Sequence, residues 1–313
     1  MEENVSNPIQ VELKKTNRKN KSVRDMDKIG VADIVMAAIL LLLCLTCILP
    51  FIHIAVKSIS SDAAVLARDV FLLPKGINFE AYKSIFRDGS MVYSIVYSFL
   101  VTLVFTVLGM IVCICAAYPL SKKRLKGRKF FTFICMLPMY FSAGLIPAYL
   151  LYQRIGILDT VWVLILPLVY SAYNMLIMKT YFQANIPTSL EESAILDGAT
   201  NFQILWKVVL PLSKPILATL SLFYAVGRWN SYADNMYFIR SENLKMVQYK
   251  LFQMVSSASE AQSITLSEAA AVQSTPEVLQ AAAIMFVTLP IIILYPFVQK
   301  YFVKGVMIGA VKG

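Results

Sequence analysis

The feature that most limits how this chain can fold is a succession of apolar stretches long enough to cross a bilayer. They lie at about 31–56, 91–119, 130–151, 161–181, 216–239 and 281–302. A transmembrane helix needs about 20 apolar residues to span a hydrocarbon core roughly 30 Å thick. Inside that core every backbone N–H and C=O must find a partner within the protein, and a helix satisfies its own. The chain therefore reads as an all-α integral membrane protein with six transmembrane helices. Its composition agrees: 58% of the 313 residues are hydrophobic and only 15% charged, with a mean hydropathy of +0.65, far from the averages of soluble domains.

The formal net charge of +10 would suit a nucleic-acid binder, but its distribution argues otherwise. Seven Lys/Arg precede the first apolar stretch, between Lys14 and Lys28, and six crowd into Lys122–Lys129. Both groups flank spans, as the enrichment of Lys and Arg on cytoplasmic loops predicts. Counting by alternate segments gives 19 Lys/Arg on one side and nine on the other, which sets an orientation with both termini cytosolic. The expected location is a cell membrane crossed several times, with the lipid bilayer as partner and no nucleic acid. Residues 1–29 are polar and basic without apolar periodicity and read as a disordered cytosolic tail. They do not resemble a cleaved signal peptide, because the following apolar run is too long and lacks a small-residue cleavage site. Residues 304–313 read as a second cytosolic tail.

Chemistry is sparse. Cys44, Cys47, Cys113, Cys115 and Cys135 all fall inside apolar runs. The Cys44-x-x-Cys47 spacing has no further ligand nearby, so the cysteines read as small hydrophobes and no metal site is expected. His53 is the only histidine. No G-x-x-x-x-G-K-[ST] stretch occurs, so nothing here can cradle ATP phosphates in the P-loop manner. No Ser/His/Asp set or buried carboxylate pair occurs either. The expectation is a non-catalytic chain without a cofactor of its own.

One polar insertion stands out, Pro187 to Pro215. Ser189 and Glu192 have the S-x-x-E spacing of a capping box, which predicts a helix starting there. Asp197-Gly198 reads as the turn that stops it. A second short helix follows, with Thr200 or Asn201 as its cap, and Phe202, Leu205, Trp206 and Val209 recur at three- and four-residue spacing on one face. Pro211 and Pro215 close it. The insertion is a stiff helix–turn–helix at the membrane surface.

This insertion also resembles a family signature. Glu192-Ser193-Ala194, then Gly198 after three residues, then Val208-Val209-Leu210-Pro211 after nine, are similar to the EAA loop of binding-protein-dependent ABC importers, E-A-A, three residues, G, nine residues, I-x-L-P. Ser193 and Val208 depart modestly from it. The resemblance implies a six-helix, type I importer (MetI-like) permease fold. It also implies that the loop couples to an ATP-hydrolysing subunit through Glu191, Glu192, Ser193, Ala194, Asp197, Gly198, Ala199, Phe202, Trp206 and Pro211. ATP and Mg would then belong to that partner. A literal E-A-A at Glu268-Ala269-Ala270 lacks the following Gly and falls on the outer side.

Two further stretches bear on function. Within the fifth span, Gly227 to Asn235 places a cation in the membrane, where charge is costly and faces protein or water. Arg228, Trp229, Asn230 and Tyr232 could line a sugar path, or Arg228 could form a structural pair with Asp234; both readings stand. Trp229-Asn230 is also similar to the family at this point. The C-terminus, Gln299 to Gly313, looks like the Q-x-x-F-x-x-G-x-x-x-G-A-x-K-G ending of carbohydrate permeases, the group that includes the second membrane subunit of the maltose importer. There Lys304, Gly305, Gly309 and Lys312 would reach the ATPase. The likeness is nearest to the branch that handles oligosaccharides from complex polysaccharides.

The implied partners are a second homologous permease, an ATP-binding subunit dimer, an extracellular solute-binding protein and a sugar in transit. An ABC permease for a non-sugar solute is the near alternative. An ion-driven secondary transporter would want paired repeats and intramembrane carboxylates, whereas Asp33 and Asp234 sit near span ends. A membrane-embedded enzyme would want a catalytic constellation.

Overall fold

The structure, a computed structural model, describes residues 31–264 and 275–310. No strand occurs among the described residues; the chain is helix and short turns. It divides into two units, Met1–Ile54 and Ala55–Gly313. The described part of the first unit belongs to one helix, α1 (Val31–Ser58). Apolar residues cover α1 all round, the pattern of a helix made for lipid or a large core rather than for a water interface. Residues 1–29, read from sequence as a disordered tail, fall outside the described residues, as does the literal E-A-A at Glu268-Ala269-Ala270.

The second unit is built around α4. Two short helices, α2 (Asp62–Leu66) and α3 (Glu80–Asp88), lead into it. Gly89 takes a left-handed φ of +67°, so the chain turns from α3 straight into α4 (Ser90–Ser121). With 32 residues, α4 is about 48 Å long at 1.5 Å per residue.

The next apolar stretches bend. Expected as one span over 130–151, the third forms α5 (Arg128–Tyr140) and α6 (Leu145–Arg154), which meet at 110°. Pro138 removes a helical donor, and Gly144 sits at φ +83° and ψ 173°, a region essentially closed to other residues. The fourth forms α7 (Val161–Ile165), a 3₁₀ turn over Leu166–Leu168 and α8 (Ala172–Asn185), bent by 47° at the break between Leu168 and Ala172. The Ser171 hydroxyl caps α8 by accepting from the Asn174 N–H at 3.3 Å.

After the polar insertion, made of α9 (Thr188–Leu196), α10 (Asn201–Ile204), a π-helical turn over Leu205–Val209 and α11 (Leu210–Leu212), the chain turns 84° into α12 (Lys214–Trp229). A continuous fifth span over 216–239 was expected. Instead α12 ends at Trp229, and a separate α13 (Ala233–Phe238) follows. The cause is local: the Arg228 guanidinium bonds Asp234, closing the 230–232 turn back on itself. Then come α14 (Val247–Ile264) and α15 (Pro276–Ala310). Helix α15 continues to Ala310, so the described part of the expected C-terminal tail, 304–310, is helical. Among the described residues three helices are long and apolar enough to cross a membrane, or up to six if each bent pair is one span.

Packing has two centres. In the larger, α4 meets α7, α8 and α12 through Phe105, Cys113, Leu164, Met175, Met178, Leu220 and Tyr224. Gly109 is there because nothing larger fits: an added Cβ would lie 2.7 Å from the Tyr224 ring. The second gathers α15, α3 and α14 around Val278, Ala282, Ala283, Val287 and Val247. Buried alanines let the helices approach closely, and between membrane helices van der Waals contact, rather than escape from water, rewards that approach.

Candidate functional site: a pinned aromatic hairpin

The polar insertion is a rigid hairpin. Helix α9 begins at Thr188 with Pro187 at its N-cap and no side-chain cap. The capping box expected at Ser189 and Glu192 is therefore absent. The fixed φ of Pro187 opens the helix two residues earlier, which leaves Ser189 inside the first turn and Glu192 exposed. The turn follows the Schellman pattern: Ala199 N–H donates to Ala194 O at 2.9 Å and Gly198 N–H to Ile195 O at 3.0 Å. Gly198 supplies the left-handed residue at φ +79°. A capping box does form at α10. Thr200 Oγ1 accepts from Gln203 N–H at 3.3 Å, and Gln203 Oε1 accepts from Thr200 N–H at 2.8 Å.

The π-helical turn then changes the register. Pro211 lacks the N–H that would close on the Lys207 carbonyl, and its ring crowds that oxygen; the helix widens just before it. The four residues expected on one face consequently split. Phe202 and Trp206 point outward, 70% and 64% exposed, with rings stacked 6.5 Å apart at 14°. Val209 is buried and Leu205 packs against the core. Ala194 and Ala199 also pack inward, whereas Ser193, Asp197, Gly198 and Pro211 are exposed.

The basic loop after α4 holds this hairpin in place. Lys122 forms an ion pair with Glu191 and lies 4.2 Å from the Tyr118 ring centroid. Burial lowers the pKa of the Lys122 ammonium, while the hydrogen bond and charge of Glu191 oppose that shift. Arg124 donates to the Asn201 side chain, Tyr118 Oη to the Asn201 carbonyl at 3.4 Å, and Gln183 Nε2 to the Ser121 carbonyl at 3.2 Å. A groove of about 570 Å³ runs between the two segments, walled by Cys115, Pro119, Leu125, Phe202 and Leu205. Sequence reasoning assigned the basic cluster to topology alone and missed this second use. The signal was Glu191, an acid beside the family-like Glu192.

Far from the hairpin, Arg228 is 2% exposed. Its Nη1 donates to Leu164 O at 2.8 Å and to Asp234 Oδ2 at 2.5 Å, and Nη2 to Met246 Sδ at 3.3 Å. Ser231 Oγ donates to the other Asp234 oxygen at 2.7 Å. Of the two readings of Arg228, the geometry takes the structural pair. Trp229 is buried as well, leaving Asn230 and Tyr232 as the exposed members of that set. At the C-terminus, Lys304, Gly305 and Gly309 lie on α15, and Lys312 falls outside the described residues.

Helices long and apolar enough to cross a membrane, with a stiff, ring-tipped hairpin between them, define a class: a helical membrane protein that presents an exposed aromatic surface. The particular family follows from comparison. The family model described as "Binding-protein-dependent transport system inner membrane component" matches residues 79–308, and the chain belongs to that family. Among curated relatives, the polygalacturonan/rhamnogalacturonan transport system permease protein YtcP of Bacillus subtilis is 39% identical over 282 residues, covering 90% of this chain and 98% of the relative. Protein LplC of the same organism is 38% identical, covering 85% and 90%. Among solved structures, a bacterial ABC transporter involved in the import of the acidic polysaccharide alginate includes a chain 36% identical, with a TM-score of 0.79, covering 87% of this chain and 96% of that one. The chain is a non-catalytic permease subunit of an ABC importer, and ATP is hydrolysed by a separate ATPase.

Proposed function

We propose that this chain is one of two homologous permeases in a carbohydrate importer of the cell membrane, carrying oligosaccharides derived from acidic or otherwise complex polysaccharides. In this reading the chain makes six spans with both termini in the cytosol, so that the hairpin lies inside, where an ATP-binding subunit dimer would receive it. A solute-binding protein would deliver the sugar to the opposite side. The observation that carries the coupling reading is the Phe202–Trp206 stack: two large exposed rings on a hairpin that Lys122, Arg124 and Tyr118 hold still. Exposed aromatics on a rigid support are the usual anchors of an interface, and a rigid hairpin transmits displacement that a flexible one would absorb. Glu192, Ser193, Asp197, Gly198 and Pro211 complete the exposed surface, and Lys304, Gly305, Gly309 and Lys312 would add a second contact. Closure of the ATPases would move the hairpin and switch the path between inward- and outward-facing states, a rigid-body transition. The substrate class rests on the named substrates of the polygalacturonan/rhamnogalacturonan and alginate systems.

The test is purification of the tagged chain from native membranes in mild detergent, followed by uptake assays in proteoliposomes. A second permease and a P-loop ATPase should co-purify, and oligosaccharide uptake should require ATP. Phe202→Ala with Trp206→Ala should release the ATPase and abolish uptake while leaving the two permeases paired. A chain that purifies alone and moves solute on an ion gradient would sink the reading.

A further inference from the structure

At the end of α4 remote from the hairpin, where α12, α13 and α14 meet, a second group of side chains has no role in the fold's core. The Arg228–Asp234 pair closes the turn after α12 and leaves Asn230 and Tyr232 on the surface. Helix α14 is fixed beside that turn: Val247 N–H donates to the buried Ser98 hydroxyl of α4 at 2.8 Å, and Met246 accepts from Arg228. Tyr249 and Phe252, three residues apart, share a face of α14. The Tyr232 ring lies 4.9 Å from Phe252 at 18°, and Phe252 lies 6.4 Å from Tyr249 at 16°. The Lys245 ammonium closes the far end, 5.6 Å from the Tyr249 centroid. The result is a ladder of near-parallel rings that ends at Tyr232, 41% exposed. Beside it Gln248 Nε2 donates to Asn230 Oδ1 at 3.4 Å, which leaves the Asn230 amide donors and the Gln248 carbonyl directed to other partners.

The rings stand beside two amides, Asn230 and Gln248, that are bonded to each other. Flat apolar rings flanked by amides that both donate and accept match a ligand with an apolar ring face and a rim of hydroxyls. We propose that Tyr232, backed by Phe252 and Tyr249 and flanked by Asn230 and Gln248, forms a sugar-ring subsite in this chain. One ring of the transported oligosaccharide stacks on Tyr232, and its hydroxyls bond Asn230 and Gln248. The subsite rests on the oligosaccharide reading above and adds α14 to the path.

The test uses the assembled importer in proteoliposomes with its binding protein, and oligogalacturonides and galacto-oligosaccharides as probes. Tyr232→Ala and Phe252→Ala should each lower uptake roughly tenfold while binding-protein-stimulated ATP hydrolysis stays within about twofold of wild type. Tyr232→Phe, which keeps the ring, should retain uptake, and Gln248→Ala should lower it severalfold. Unchanged uptake in both alanine variants overturns the subsite. So does a parallel fall of uptake and ATP hydrolysis, which would make the ladder a packing element. A wild-type importer that takes up none of the probes sinks the oligosaccharide reading itself and the subsite with it.

Discussion

Gly198 stands at φ +79° with nothing within 4 Å of where a side chain would begin. Its glycine is required by backbone conformation, because the space around it is open. Alanine there should cost on the order of 1 kcal/mol, the penalty of a left-handed L-residue. A bulky residue should cost the isolated chain little more, yet fill space a docked subunit needs. We expect Gly198→Ala to lower the melting temperature of the purified permease pair slightly with ATP hydrolysis retained, and Gly198→Trp to abolish stimulated hydrolysis. Equal effects of the two would show that the open space is not used. Residue-level legibility was uneven here. The Asp197-Gly198 turn could be read directly, since few residues tolerate that conformation. Of the two caps expected, Thr200 holds at α10 while Pro187 takes the place of Ser189 at α9, because S-x-x-E spacing says nothing of the proline two residues upstream. For Arg228, spacing left open a sugar path or a pair with Asp234, and the structure shows the hydrogen bond to Asp234.

Among the elements, the hairpin is held by its ties to the basic loop. Glu191→Lys should set two ammonium groups against each other at a poorly solvated site and uncouple ATP hydrolysis from uptake. Adding Lys122→Glu should restore coupling in part, because the pair re-forms with reversed sign. Uptake per ATP, measured for both single variants and the double, reads the interaction as a cycle, and additive losses would show that the pair does not act. What sequence withheld at this scale was continuity. Hydropathy reports how apolar a stretch is, and it gave α1, α4 and α15 their places. It is silent on whether the helix within it is broken: the breakers Pro138, Gly144 and Pro147 are visible in the third stretch, but neither the 110° corner they make between α5 and α6 nor the end of α12 at Trp229 follows from hydropathy. The π-helical turn was equally hidden, since a 3.6-residue period assigns Phe202 and Val209 to one face when an inserted residue has rotated them apart.

For the molecule as a whole, distant connections are tied together. Asp159, in the link between α6 and α7, accepts hydrogen bonds from Ser241 Oγ at 2.6 Å and from the N–H groups of Arg240 and Ser241 at 2.9 Å. These bonds, that of the Ser241 hydroxyl foremost, hold its carboxyl below the ordinary 3.8. A depressed carboxyl stabilises the folded form above the unfolded value and loses that contribution as pH falls through the lower, folded one. The melting-temperature gap between wild type and Asp159→Asn should therefore be constant near neutrality and close below about pH 4. A gap unchanged down to pH 3 would contradict the tie.

Helix α4 touches both working ends. Its last turn carries Tyr118 and leads into Lys122, which grips the hairpin, and its first turns carry Ser90 and Ser98, which bond the side chain of Lys250 and the backbone of Val247 on α14. Two sites bonded to one continuous helix are thermodynamically linked when each ligand favours a different placement of that helix. If closing the ATPases favours one placement of α4, the free energy that nucleotide spends there is the same free energy by which a sugar bound at α14 alters nucleotide affinity. The solute would then report its own presence to the motor through a single span, and the size of that report is fixed by reciprocity from either end.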